Sequence, residues 1–80
     1  MATVVFSSEL QRLTGEEKTS VVAHTYRELV EKLTATYPGL DKDQLMGMAV
    51  SIDGVIIHDP FLEPVNTDSE VHFLYKISGG

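Results

Sequence analysis

The 80-residue chain contains no cysteine. A disulfide framework, a thiol nucleophile and a thiolate metal site are therefore all excluded, and the fold must be held by packing alone. Tryptophan is also absent. Only six residues are Lys or Arg against twelve Asp and Glu, a net charge of −6. That balance lacks the basic footprint that nucleic acid or an anionic membrane surface requires, and it leaves room for a partner with a basic docking face. No hydrophobic run approaches a membrane span. The opening Met1-Ala2-Thr3-Val4-Val5-Phe6 has no basic region and is too short for a secretion signal, so a cytoplasmic protein is expected.

What is present reads as one small domain. Thr3–Ser7 alternates as a strand, with Val4 and Phe6 on one face. Ser8–Glu17 carries Leu10 and Leu13 among polar residues and is expected to be a long hairpin loop that tucks its leucines under the core, with Thr14-Gly15 as a turn. Glu16-Glu17-Lys18 reads as a solvated loop edge, and Thr19–Ala23 as a second strand. Thr25 and Glu28 fit a capping box. Behind them Tyr26, Leu29, Val30, Leu33 and Tyr37 recur at helical spacing and form one apolar stripe. Glu28 and Lys32 are spaced to pair on its exposed side. Pro38-Gly39 ends the helix.

Leu40–Leu45 is a polar connection with room for a short helical turn. Met46–Ile57 reads as a hairpin around Asp53-Gly54, a strong two-residue turn signal. His58–Val65 holds Pro60 and Pro64 and is expected to be irregular, anchored by Phe61, Leu62 and Val65. Asn66-Thr67-Asp68-Ser69 is a turn that launches a final strand. That strand, Val71–Ile77, places Val71, Phe73, Tyr75 and Ile77 on one face and His72, Leu74 and Lys76 on the other. The first and last strands are both apolar enough to be central, so they are expected to pair. One amphipathic helix across one face of a mixed sheet of four to five strands is an α+β layering.

Chemistry in the body of the chain is sparse. His24, His58 and His72 are far apart, and strand-edge or surface histidines explain them better than zinc. Asp41 and Asp43 lack the further oxygen ligands and closing glutamate of a calcium loop. The other carboxylates lie in turns and on the helix surface, where ionised, solvated side chains are usual. No glycine-rich loop opens a helix, and Met46 and Met48 read as core filler.

The sequence ends Ser78-Gly79-Gly80. At an average glycine usage of ~7%, a chain ends Gly-Gly in roughly one case in 200. Here the glycines directly follow a strand. Glycine loses the most freedom on ordering and has no Cβ, so residues 78–80 are expected to project as a flexible tip able to enter a narrow slot. From Ile77 to Gly80 an extended tail reaches about 13–14 Å. A terminal carboxylate is a poor electrophile until adenylation gives it a good leaving group.

The order of elements, the helix closing in Tyr37-Pro38-Gly39-Leu40, the turn before Glu70-Val71, the segment Leu10-Gln11-Arg12-Leu13-Thr14-Gly15 and the terminal Ser78-Gly79-Gly80 together resemble the MoaD/ThiS family of ubiquitin-like sulfur carriers, MoaD most of all. The resemblance covers essentially the whole chain. It implies a β-grasp fold and a carrier, not an enzyme. An E1-like enzyme of the MoeB/ThiF kind would adenylate Gly80, and a sulfur donor would convert it to a thiocarboxylate. The sulfur would pass to a precursor of molybdopterin, thiamin or cysteine, or to tRNA. By this likeness Gly80 is the reactive residue, Ser78, Gly79 and Gly80 form the inserting tail, and Leu74, Ile56 and Lys76 dock the partner on an apolar, exposed sheet face. That partner is the activating enzyme or the large subunit of molybdopterin synthase. No cofactor is held stably, ATP being consumed by the activating enzyme. Tyr75 and Lys76 stand where MoaD-type tails often carry prolines. A ubiquitin-like modifier joined to lysines through Gly80, and a plain β-grasp binding module, are the alternative readings.

Overall fold

A computed structural model describes residues 1–58, 60, 61 and 63–74. Five strands and three helices follow the order β1 (Ala2–Val5), α1 (Ser8–Thr14), β2 (Lys18–Val21), α2 (Tyr26–Thr36), α3 (Lys42–Met46), β3 (Ala49–Ile52), β4 (Val55–Ile57) and β5 (Glu70–Leu74). The strands form one mixed sheet in the order β2-β1-β5-β3-β4. β1 and β5 are parallel, with Val4 opposite Val71, and the other neighbours are antiparallel. The expected pairing of the first and last strands is thus present, and β5 is the central strand.

The period-2 pattern sets the sheet's two faces. Ala2, Val4, Val21, Val50, Val71 and Phe73 turn toward the core, where they meet Tyr26, Leu29, Val30 and Leu33 of α2. α2 begins as its sequence dictates. Thr25 is extended, and its hydroxyl accepts from the Glu28 amide at 3.2 Å. The Glu28 carboxylate pairs with Lys32 at 3.4 Å. The Tyr26 hydroxyl, buried with its ring, donates to the Leu45 carbonyl at 3.3 Å and ties α2 to α3. Asp41 caps α3 by accepting from the Asp43 amide.

Ser8–Thr14 is a helix, not the expected hairpin loop. Leu10 is buried, but Leu13 is 40% exposed. Gly15, read as part of a turn, closes this helix with a φ of 76° and donates to the Gln11 carbonyl. Seven residues are too few to form a stable helix in isolation. Burial of Leu10 in the core and the bond from Gln11 Nε2 to the Phe6 carbonyl hold it. Residues 58–65 are anchored differently from expectation. Val65 is buried, but Phe61 is 40% exposed beneath the Arg27 guanidinium. Leu62 lies outside the described residues. The main chain supplies most of the attachment: the Glu63 and Phe61 carbonyls accept from the Tyr26 and Arg27 amides, the otherwise orphaned donors of the first turn of α2.

Asp53-Gly54 turns β3 into β4 with φ values of 52° and 85°. Two successive positive φ angles are the mark of a type I′ hairpin turn, and an Asp-Gly pair adopts them at least cost. The Asp53 carboxylate then reaches across to the start of β5. It accepts from the Ser69 hydroxyl at 3.0 Å and from the Glu70 amide at 2.9 Å. The Ser69 oxygen in turn accepts from the Asn66 amide at 3.0 Å.

Candidate functional site

The sheet face opposite α2 carries the described members of the expected site. Registers place Val5, His72, Ser51 and Ile56 in one row across four strands, and Leu74 beside Ala49 in the next. Leu74 and Ile56 therefore share a face, because Ala49 and Ser51 stand two apart on β3. Ile56 is 59% exposed on the edge strand. Leu74 is half-buried at the last described position of β5, and Ala49 beside it is buried. Lys76, Ser78, Gly79 and Gly80 lie outside the described residues, as does Tyr75.

This face is mixed in chemistry. His72 sits at its centre, with Nε2 2.6 Å from Glu70 Oε1 on the same strand. Val5, Ser51 and Leu74 beside it are half-buried. Sequence reading gave Leu74 and Ile56 but not Val5, Ala49 or Ser51. The alternation within β1 and β3 carries that information only once the strand order is known.

Elsewhere, two tyrosine hydroxyls have structural explanations, whereas the buried Ser7 hydroxyl has no hydrogen-bond partner. The Tyr37 ring packs edge-on against Phe6 at 5.7 Å, and its hydroxyl donates to Glu16 at 2.5 Å. That bond to a carboxylate raises the Tyr37 pKa from its usual 10.0. Burial pushes the Tyr26 hydroxyl further in the same direction. Among the described residues no group of three or more His, Asp or Glu could hold a metal ion, and no helix is long and apolar enough to cross a membrane.

No family model matches the chain, and no curated protein sequence does. Solved structures do match. The CysO chain of the Amycolatopsis orientalis BexX/CysO complex superposes with a TM-score of 0.85 at 18% identity, over 100% of both chains. The small archaeal modifier protein 1 (SAMP1) from Methanosarcina acetivorans gives 0.77 at 18% identity, over 99% of this chain and 95% of that one. SAMP1 from Haloferax volcanii gives 0.71 at 17%, over 99% and 98%. The fold is the β-grasp. The expectation drawn from the MoaD/ThiS resemblance holds at the level of architecture. In this β-grasp, β5 is clasped between β1 and β3.

Proposed function

We propose that the chain is a ubiquitin-like sulfur carrier whose reactive group is the carboxylate of Gly80. The observation that carries this reading is the position of Gly79-Gly80: Gly80 lies six residues beyond Leu74, the last described residue of the central strand. Six residues span at most about 20 Å when extended. The β-grasp body can thus dock outside an enzyme while the glycines, lacking side chains, enter a slot. Fold likeness to CysO, seen in complex with BexX, and to SAMP1 supports the reading.

In this scheme the Gly80 carboxylate attacks the α-phosphate of ATP in an E1-like enzyme and pyrophosphate leaves. Hydrosulfide, or its equivalent on a sulfur donor, then attacks the acyl carbon and AMP leaves with the bonding pair. The product is a thiocarboxylate. The acceptor reading is cofactor biosynthesis, with this chain as a small subunit of the molybdopterin synthase kind. Leu74, Ile56 and Lys76 dock the partner. Conjugation to lysines is the second reading, favoured by the likeness to two modifier proteins.

The test incubates the full chain with ATP, sulfide and a MoeB/ThiF-type enzyme and reads intact mass. Exchange of one oxygen for sulfur, localised to Gly80 and lost on deletion of Gly79-Gly80, is the expected result. Bands joined to larger proteins, without sulfur, would select the modifier reading. An unchanged mass, with no acyl-adenylate formed, would overturn both.

A further inference from the structure

The two edges of the sheet are unequal. β2 is polar, carries Lys18, and is followed by Val22, whose carbonyl is taken by the Lys32 ammonium. These are devices that discourage strand addition. β4 has none of them. It reads Val55-Ile56-Ile57, with Val55 61% and Ile56 59% exposed. Val55 pairs with Ile52 across a two-residue turn, so its amide and carbonyl face β3. The alternation then points the Ile56 amide and carbonyl outward, toward the open edge. Val55 presents a β-branched side chain on the helix side of that edge, and Ile56 presents one on the other side.

Charge selects the occupant. Residues 43–75 contain Asp43, Asp53, Asp59, Glu63, Asp68 and Glu70 and not one Lys or Arg. This segment alone carries the chain's net charge of −6. It includes β3, β4 and β5, with Asp53 at the turn end of the edge and Glu70 bonded to it. A second copy would bring two such surfaces together and be repelled. A cationic strand would be attracted.

We infer that β4 is an acceptor edge for an extended partner segment that is β-branched at successive positions and flanked by lysine or arginine, adding as a sixth strand beside Ile56. Main-chain bonds supply the attachment and the acidic segment supplies the selectivity. The inference does not rest on activation of Gly80, and its test involves no adenylating enzyme.

The probe is the capped peptide Lys-Thr-Val-Ile-Val-Thr-Lys, titrated into the isotope-labelled full chain at low salt. Amide shifts and slowed hydrogen exchange are expected at Ile56 and His58. Affinity should fall about tenfold when the central peptide amide is N-methylated, in line with loss of a main-chain bond. It should also fall with added salt, with Glu in place of both Lys, and with Val55→Lys, whose exposed position leaves the fold intact by circular dichroism. Shifts elsewhere on the surface, or equal binding of the N-methylated peptide, would overturn the inference. So would a sedimenting dimer with the Ile56 amide already protected, which would make a second copy the occupant.

Discussion

The Asp53 carboxylate holds the start of the central strand, and removing it is a quantitative test of that role. Its oxygens accept from the Ser69 hydroxyl and the Glu70 amide. Ser69 is 2% exposed, so its hydroxyl loses a partner that water replaces poorly. The bond to Glu70 is exposed and worth less. Together they contribute about 1–2 kcal/mol. Asp53 also has a φ of 52°. Alanine at that angle adds about 1 kcal/mol of strain that glycine does not. Asp53→Ala should therefore cost about 2–3 kcal/mol, Asp53→Gly about 1–2, and Asp53→Asn least, because it keeps an acceptor and tolerates the angle. A domain of this length is stable by about 4–12 kcal/mol, so the alanine loss is a large share. Urea unfolding followed by circular dichroism reads these differences as midpoint shifts, with roughly 1 kcal/mol per molar expected for the slope. Equal midpoints for all three variants would refute the reasoning. Glycine falling below alanine would show that the angle, at least, is not strained.

Other substitutions probe separate parts of the structure. A Cβ on Gly39 would lie 2.9 Å from the Leu13 carbonyl oxygen, a backbone atom, so Gly39→Ala should cost about 1–3 kcal/mol in the same unfolding assay. The hydrogen bond to Glu16 raises the Tyr37 pKa above 10.0, and burial raises that of Tyr26. A raised folded-state pKa means stability that is whole below about pH 10 and lost as pH rises through the folded value. Alkaline unfolding titrations should show that loss, and Tyr37→Phe should make it shallower. In the proposed carrier role, Leu74→Asp should weaken activation by an E1-like enzyme about tenfold or more while the chain stays folded, an outcome read from initial rates across enzyme concentrations.

Local signals in the sequence located much of this fold because they coincide with what packing requires. Thr25 and Glu28 mark where α2 begins, and its apolar stripe is the face that is buried. Asp53-Gly54 marks a turn whose two angles few other pairs adopt. The alternation of Val71 and Phe73 with His72 and Leu74 identifies β5, and its apolar weight identifies it as central. Ser8–Thr14 escaped for a physical reason. A helix this short has too few apolar positions to show a period, and Leu10 alone enters the core. Phe61 misled because hydrophobicity does not distinguish burial from a place beneath an arginine. The outer face was half legible. Alternation sets Leu74 on the face opposite Val71 and Phe73, Ile56 is expected beside it only through the MoaD/ThiS resemblance, and Val5, Ala49 and Ser51 join them only through the strand order.

The central position of β5 and the open edge at β4 make opposite demands on stability, and hydrogen exchange can measure both in one experiment. β5 is bonded on both sides, so exposing the amides of Val71 and Phe73 requires breaking the sheet and uncovering core side chains. Their exchange should follow global unfolding, at about 4–12 kcal/mol. The Ile56 amide faces outward and needs no opening, so it should exchange within about tenfold of an unstructured peptide. Val55 and Ile57, bonded to β3 only, should fall between. This gradient matters for the proposed carrier. A tail drawn into another protein's slot pulls on the strand it leaves, and a strand clasped on both sides resists that pull where an edge strand would peel away. If Val71 and Phe73 exchanged as readily as the edge, β5 would be no anchor. The link between its central position and a working terminus would then be lost.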